Sequence, residues 1–325
     1  MFKFLKRPQP NAASTPTEPG PIDAQALLTR IEWASSRRLD GLLQGNYRTL
    51  FRGAGLMLAD LREYRPEDDV RHIDWNVTAR MQTPYVREHE QDREITGCFL
   101  VDLSPSIGFG SRGVSKRMVI AECVAALGQL LQGRGNRIGA IIDRADAEHR
   151  LEVIPTRTGK RHLLHILNRI LNGSLTHQPG TTNLKQLLLG SQRIVRQRST
   201  LFVLSDFYAE PGWEKALIAL AGRHDVVAIR LIDPLERILP DMGMLTMRDV
   251  ETGEQLFIDT SDPGFRRRFE AQTKQHDEQL IEALSRAGVD CLELHTDGSV
   301  HDSLFNFIRQ RQQLLSQRST GARHV

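Results

Sequence analysis

The strongest indication of the fold comes from Cys98-Phe99-Leu100-Val101-Asp102-Leu103-Ser104-Pro105-Ser106, an apolar run that ends in an acid and two hydroxyls. A short apolar run of this kind is typical of a strand in a parallel sheet that is buried on both faces. Where such a strand ends the chain must turn, and alternate residues can then point into one crevice. Open α/β sheets bind their ligands in that crevice, at the carboxyl ends of the strands. The pattern Asp-x-Ser-x-Ser therefore predicts a buried strand and a ligand site at its end.

Outward from this stretch, short apolar runs alternate with segments of helical periodicity. Strands are predicted at 98–103, 137–142, 200–205, 225–231 and 289–294. Helices are predicted at 116–132, 160–172, 184–196, 212–222, 264–287 and 301–316. Such alternation indicates an α/β fold, a doubly wound and mostly parallel sheet with helices on both faces.

Changes in composition suggest where the domains begin and end. Residues 1–22 are predicted to be a disordered leader, because 8–21 are rich in Pro, Ser, Thr and Gly. Residues 23–96 are expected to form a smaller amino-terminal α+β region, 97–315 the α/β domain, and 316–325 a loose tail. Within the amino-terminal region the patterns predict helices at 23–38 and 69–80 and strand-like pieces at 47–51 and 85–90. An insertion in the α/β domain, 235–262, is predicted to carry a β-hairpin of 244–247 and 255–258.

Composition excludes several classes of protein. The 325 residues include 43 basic and 40 acidic side chains, and no basic face with interleaved aromatic residues predicts a nucleic-acid partner. No apolar run approaches the roughly 20 residues of a membrane-spanning helix, so we expect no membrane span. Cys98, Cys123 and Cys291 lie far apart among apolar neighbours, which favours reduced thiols and a cytoplasmic location.

Two later segments could complete a metal site with the opening stretch. The loop Gly180-Thr181-Thr182-Asn183-Leu184 precedes a predicted helix, and Asp206 ends a second apolar strand, 201–205. Carboxylate and hydroxyl oxygens are hard ligands, which suit Mg²⁺ or Mn²⁺. Neutral hydroxyls and few carboxylates would leave the ion with residual positive charge, and an open coordination position would then attract a Glu or Asp of a protein partner.

The order of these residues resembles the metal-ion-dependent adhesion site of von Willebrand factor A domains. The resemblance implies five metal ligands, Asp102, Ser104, Ser106, Thr182 and Asp206. Where that family has Gly-Gly-Thr, this chain has Gly180-Thr181-Thr182, so Thr181 is the alternative to Thr182.

A second signature lies before the α/β domain. It runs Arg62-Glu63-Tyr64-Arg65-Pro66-Glu67-Asp68-Asp69-Val70-Arg71-His72-Ile73-Asp74-Trp75-Asn76-Val77-Thr78-Ala79-Arg80. This closely resembles the bacterial family called domain of unknown function 58, with Glu67 where that family usually has Gly. The resemblance implies a MoxR-type AAA+ ATPase as a partner in the maturation or assembly of another protein complex.

Two interpretations of this second signature remain open. In the first it is a structural network, in which Arg62, Arg65, Arg71 and Arg80 pair with Glu63, Asp68, Asp69 and Asp74 while Trp75 packs on the main domain. In the second it is a platform for docking a partner, formed by Arg62, Arg65, Asp68, Asp69, Arg71, Asp74, Trp75 and Arg80.

The function that these patterns predict is metal-dependent protein binding rather than catalysis. The alternative is a metal-dependent hydrolase, such as a phosphatase, that uses Asp102 as nucleophile or metal ligand. It would need a second acid–base group, and the loop 107–115 supplies none. A third interpretation is a scaffold that binds through the arginine-rich segment and needs no metal.

Overall fold

The structure is a computed structural model that describes residues 2–5, 23–29, 61–65, 68–70, 73, 75–87, 95–133, 135–144, 151–172, 183–249 and 255–321. The strands are β1 (Phe2–Leu5), β2 (Leu61–Glu63), β3 (Tyr85–Arg87), β4 (Thr96–Asp102), β5 (Arg137–Asp143), β6 (Glu152–Arg157), β7 (Thr200–Ser205), β8 (Asp225–Ile232), β9 (Met244–Asp249), β10 (Gln255–Asp259) and β11 (Asp290–His295). The helices are α1 (Trp75–Met81), α2 (Lys116–Gln132), α3 (Lys160–Asn172), α4 (Leu184–Ile194), α5 (Glu214–Ala221), α6 (Pro234–Arg237), α7 (Pro263–Ala287) and α8 (Val300–Gly321). Residues 24–29 are also helical.

Six strands form the central sheet, in the order β11-β8-β7-β4-β5-β6. All neighbours are parallel except β6, which runs antiparallel to β5 at one edge. Within this sheet, the chain first forms β4 in the middle and continues through β5 and β6 to one edge. It then crosses back to form β7, β8 and β11 on the other side of β4. This is the strand order of a doubly wound fold, and it places the switch point between β4 and β7. The predicted fold class is therefore confirmed.

The core lies on both faces of this sheet, because alternate residues of each strand point to opposite sides. Phe99 and Val101 of β4 pack on one face with apolar residues of α2, α3 and α8. Leu100 packs on the other face with apolar residues of α4, α5 and α7. Burial of each side chain of this size contributes about 1.5–3 kcal/mol to the stability of the fold. The two apolar layers therefore fix the ends of β4 and β7 beside each other.

The hairpin insertion is also confirmed, since β9 and β10 pair antiparallel. The prediction of a disordered leader is wrong for residues 2–5, because β1 adds a third strand to this hairpin by pairing with β9. Residues 2–5 form a strand because β9 supplies the backbone hydrogen-bonding partners for it. The rest of the predicted leader, 6–22, lies outside the described residues.

Two further predictions need correction, and a third is described only in part. The tail predicted to be loose from residue 316 is helical up to Gly321, as the end of α8. The helix predicted over 69–80 spans Trp75–Met81, and the strand predicted over 85–90 is described for Tyr85–Arg87 only. The edge strand β6 was not predicted. Residues 47–51 lie outside the described part of the chain.

No helix among the described residues is both long enough and apolar enough to cross a bilayer. The three cysteines are free, with Cys98 and Cys123 buried and Cys291 half-buried.

Candidate metal and partner-binding site

The site begins where β4 and β7 end side by side. Val101 is paired with Leu204 in the sheet, so Asp102 and Ser205 follow on neighbouring strands. The Ser205 hydroxyl donates a hydrogen bond of 2.7 Å to one oxygen of Asp102. The backbone amide of Ser104 donates to the other oxygen at 2.9 Å. These two bonds hold the Asp102 carboxylate in one orientation at the carboxyl end of the sheet.

The two serines are positioned by the turn that follows β4. A short 3-10 helix, Pro105–Gly108, begins directly after Ser104. The Ser104 and Ser106 hydroxyl oxygens lie 3.0 Å apart and share a hydrogen bond. The Ser106 hydroxyl also helps to lower the pKa of the Asp206 carboxyl, which places it near that carboxylate. The structure thus brings together four of the five predicted ligands, Asp102, Ser104, Ser106 and Asp206, all of them buried.

The fifth predicted ligand, Thr182, lies outside the described residues, as does its alternative Thr181. Asn183, the next residue, is the N-cap of α4 and accepts a hydrogen bond of 3.0 Å from the Gln186 amide. This cap fixes the point at which the threonine loop enters α4. Ligation by Thr182 or Thr181 remains a prediction.

Sequence reasoning missed two charged residues at this site, Lys116 and Glu236. Lys116 is the first residue of α2, and its side chain is fully buried. Its ammonium nitrogen lies 2.9 Å from Asp206 Oδ2 and 2.7 Å from Glu236 Oε1. Glu236 belongs to α6, directly after β8. We refer to Asp102, Asp206, Glu236 and Lys116 as the buried charge cluster.

The pKa values in the buried charge cluster show how incompletely its negative charge is balanced. Burial, and then repulsion from Asp206, raises the pKa of Asp102 to about 7. Burial also raises the pKa of Glu236 to about 7, although the Lys116 ammonium opposes the rise. For Asp206, burial again favours the neutral acid, but the Lys116 ammonium outweighs it and lowers the pKa of that carboxyl. The ammonium therefore lowers the pKa of one carboxyl, whereas the pKa values of the other two stay raised to about 7 because burial disfavours their charged forms.

A further buried acid, Asp233, links the loops around the site. It follows β8, as Asp102 and Asp206 end their own strands. Its Oδ2 accepts hydrogen bonds from the Ser111 amide at 2.9 Å and from the Thr296 hydroxyl at 2.7 Å. Ser111 lies in the loop after β4 and Thr296 follows β11, so one carboxylate connects three loops at the same edge of the sheet.

The turn after Asp206 has an unusual backbone. Phe207 has a φ of 59°, in the left-handed region that residues other than glycine rarely adopt. Its amide donates to the Ser205 hydroxyl at 3.0 Å, and the Tyr208 amide donates to Asp206 Oδ1 at 3.2 Å. The Phe207 ring is buried against Trp213, with 5.7 Å between ring centroids. This packing holds the turn in place.

The donor chemistry of the site fits a hard divalent cation. The facing groups are carboxylate and hydroxyl oxygens, which Mg²⁺ and Mn²⁺ prefer. Within the described ranges, no group of three or more His, Cys, Asp and Glu side chains has an arrangement that could hold a metal ion. A cation here would therefore depend on the serine hydroxyls and on an oxygen from the threonine loop.

The predicted docking platform of the amino-terminal region is described in part. Arg71, Asp74 and the side chain of Arg62 lie outside the described residues. Arg65 and Asp68 meet in a turn, where the Arg65 amide donates to the Asp68 carboxylate at 2.8 Å. Asp69 and Arg80 are exposed.

The Trp75 side chain is 70% exposed, so the expectation that it packs on the main domain is wrong. It is the first residue of α1, a two-turn helix beside the short β2–β3 pair. Such a small unit offers little apolar surface that could cover an indole ring.

Two signals in the sequence could have revealed the missed residues. A lysine at the first position of a helix opposes the helix dipole, which favours negative charge there, so Lys116 needs nearby carboxylates. Asp233 ends an apolar run, the same signal that identified Asp102 and Asp206. The segment Asp233-Pro234-Leu235-Glu236 forms a capping box, which is a local pattern at the start of a helix. That pattern does not predict that the Glu236 side chain also contacts Lys116.

Comparison with known proteins identifies relatives along most of the chain. The family described as "Protein of unknown function DUF58" matches residues 60–279. The uncharacterized protein Rv1480 of Mycobacterium tuberculosis is 33% identical over 287 residues, which cover 88% of this chain and 89% of the relative. The uncharacterized protein Mb1516 of Mycobacterium bovis matches with the same identity and coverage.

Solved structures give weaker matches. The protein BatB from Bacteroides thetaiotaomicron is 14% identical, covers 67% of this chain and 99% of that chain, and has a TM-score of 0.39. An aerotolerance-related membrane protein from Bacteroides fragilis is 13% identical, with coverage of 66% and 99% and a TM-score of 0.44. The VWA domain of SpRpn10 is 13% identical, with coverage of 65% and 93% and a TM-score of 0.36. The fold assignment depends on the strand order described above and not on these scores.

Proposed function

This chain belongs to the DUF58 family, and we propose that it is a metal-dependent protein-binding adaptor. In this proposal Mg²⁺ or Mn²⁺ is held by Asp102, Ser104, Ser106 and Asp206, together with Thr182 or Thr181. The bound ion would supply a positive charge with an open coordination position, to which a partner's Glu or Asp carboxylate binds.

The observation that supports this proposal is the imbalance in the buried charge cluster. Three buried carboxylates, Asp102, Asp206 and Glu236, lie in this cluster with one ammonium, that of Lys116, which contacts Asp206 and Glu236. When all are ionised, two negative charges are uncompensated, and burying unpaired charge is costly. One divalent cation matches this excess.

The chain's own residues orient the ligands and exclude water. Ser205 and the Ser104 amide fix Asp102, while Ser106 shares a hydrogen bond with Ser104 and helps to lower the pKa of the Asp206 carboxyl. Because these groups are already fixed, ligand binding there loses little conformational freedom. Such a fixed arrangement suits the recognition of an acidic side chain.

The partner and the location are finer parts of the proposal. The family resemblance implies a MoxR-type AAA+ ATPase as the partner and a role in the maturation or assembly of a protein complex. A cytoplasmic location is in keeping with three free cysteines, since oxidising compartments favour disulfides.

The direct test is calorimetric titration of the full chain with Mn²⁺ and with Mg²⁺. Asp102→Asn and Ser106→Ala are expected to abolish or strongly weaken binding while the circular dichroism spectrum is unchanged. Ser191→Ala is the matched control for Ser106→Ala. Ser191 is also a fully buried serine, but its hydroxyl donates to the Leu187 carbonyl within α4. Unchanged metal affinity in both site variants would refute the proposal.

A second experiment addresses the partner. Full-length protein should capture the co-expressed MoxR-type ATPase in the presence of Mg²⁺ and lose it with a chelator. Capture that a chelator leaves unchanged would favour binding through the arginine-rich segment instead. Phosphoester hydrolysis that is lost in Asp102→Asn would favour the hydrolase.

A further inference from the structure

Lys116 is the least expected residue at the site. Its ammonium is fully buried and lies 2.9 Å from Asp206, which is a proposed metal ligand. A buried ammonium is stable only when carboxylates surround it, and here Asp206 and Glu236 do so. The positive end of the α2 dipole, at which Lys116 begins the helix, adds a further unfavourable interaction. The fold therefore retains a cation where local forces disfavour one.

This ammonium and a divalent ion would compete for the same carboxylate. Asp206 Oδ2 accepts the hydrogen bond from Lys116, while Oδ1 accepts from the Tyr208 amide. A divalent cation that approaches Asp206 is repelled by a positive charge only a few ångströms away, and a buried site screens such repulsion weakly. Glu236 lies 2.7 Å from the same ammonium, so its carboxylate competes with Asp206 for Lys116.

We propose that Lys116 is a tethered internal cation that competes with the divalent ion for Asp206, and that Glu236 moderates this competition. The inference rests on the proposed function, and it names the device that regulates the same site. Lys116 keeps metal affinity low in the free protein, so the ion is exchangeable. A partner's carboxylate supplies the additional negative charge that holds the ion in place, and metal and partner therefore bind together.

The experiment is titration of the full-length protein with Mn²⁺ alone, at neutral pH. Lys116→Met/Glu236→Gln removes the ammonium together with one of its two carboxylates, so Asp206 is released without a large change in net charge. This variant is expected to bind Mn²⁺ at least about tenfold more tightly than the wild type, because the close repulsion is gone. Glu236→Gln alone is expected to bind more weakly than the wild type, because the ammonium then loses Glu236 and pairs more strongly with Asp206.

The chain offers a matched control at the opposite end of the same sheet, where the parallel strands begin. Arg311 is also buried, and its guanidinium pairs with Asp290 at 2.7 Å and with Asp225 at 3.1 Å. Asp225 and Asp290 begin β8 and β11, whereas Asp206 follows the end of β7. Arg311→Met/Asp290→Asn makes the same charge change far from the site and should leave Mn²⁺ affinity unchanged.

The outcomes separate this inference from the proposed function. Tight Mn²⁺ binding by the double variant and none by the wild type would support the competition and refute metal dependence in the wild type. Equal affinity of wild type and double variant would overturn the competition and leave the proposed function intact. Absence of binding in both would refute both ideas. If the double variant fails to fold, Glu236→Gln decides alone, since affinity equal to or above that of the wild type overturns the inference.

Discussion

The buried charge cluster allows a quantitative test of what Lys116 contributes to stability. Lys116→Met leaves Asp206 and Glu236 buried without their shared ammonium. Removing one partner of a buried ion pair costs about 3–5 kcal/mol, because the remaining charge is uncompensated. Glu236→Gln should cost less, about 1.5–3 kcal/mol, because the ammonium still pairs with Asp206 and only a charged contact is lost.

The two changes should not be additive. When residue 236 is already neutral, the loss of Lys116 leaves one carboxylate without this ion-pair partner rather than two. We therefore expect the double variant to cost at least about 1.5 kcal/mol less than the sum of the single changes, within the range of coupling between contacting residues.

The assay is urea unfolding followed by circular dichroism at neutral pH, with a chelator present so that metal binding does not shift the equilibrium. The Arg311→Met and Asp290→Asn cycle serves as the reference for a buried cation of the same kind. Additivity of the Lys116 and Glu236 changes within about 0.5 kcal/mol would refute the reasoning, since it would mean that the two groups do not interact.

Three other predictions follow from single residues. Burial favours the neutral form of Asp233, but hydrogen bonds from Ser111 and Thr296 outweigh it and hold the pKa of this carboxyl below its ordinary value. The contribution of Asp233 to stability is therefore complete above about pH 4 and is lost as the pH falls through the lowered pKa. Asp233→Asn should lower the urea midpoint less at acidic pH than at neutral pH, and an equal decrease at both would contradict this. Gly110→Ala would place a Cβ 2.0 Å from the Val114 carbonyl oxygen, so it should destabilise the loop after β4 and weaken Mn²⁺ binding, as calorimetry can check. Trp75→Ala should change the free energy of unfolding by less than about 0.5 kcal/mol but reduce capture of the partner, and unreduced capture would remove Trp75 from the docking platform.

The central strands and most helices could be predicted because their signals are strong and local. The predicted helix at 160–172 has the same limits as α3, since its apolar residues form one regular stripe. The strand β7 was also predicted with its exact limits, because all six of its residues are buried and the sequence shows a continuous apolar run. Burial on both faces produces that run.

The missed strands lack this signal. In β6 only Ile154 is buried, and Pro155 lies in its interior, which a strand tolerates at the edge of a sheet. The strand β1 forms only because β9, about 240 residues later in the sequence, provides its hydrogen-bonding partner. Residues 2–5 alone contain no evidence of such a distant pairing.

The candidate site could be predicted in part for a similar reason. Asp102 and Asp206 were found because each ends an apolar strand, and parallel strands bring such ends together. Lys116 and Glu236 meet only in three dimensions, across α2 and α6, and no spacing rule connects them. The charge balance of the candidate site therefore required the structure, whereas the proposed ligands Asp102 and Asp206 did not.

The backbone at Phe207 has a consequence for how the site responds to changes elsewhere. A strained φ persists only where surrounding contacts enforce it, and here the enforcing contact is an aromatic ring wedged beside Trp213 in the interior. The position of the Asp206 carboxylate, one residue earlier, therefore depends on this hydrophobic packing. Enlarging or emptying the space that Trp213 fills is therefore expected to move Asp206 although no polar group of the candidate site is changed, so the hydrophobic interior of this protein positions that site.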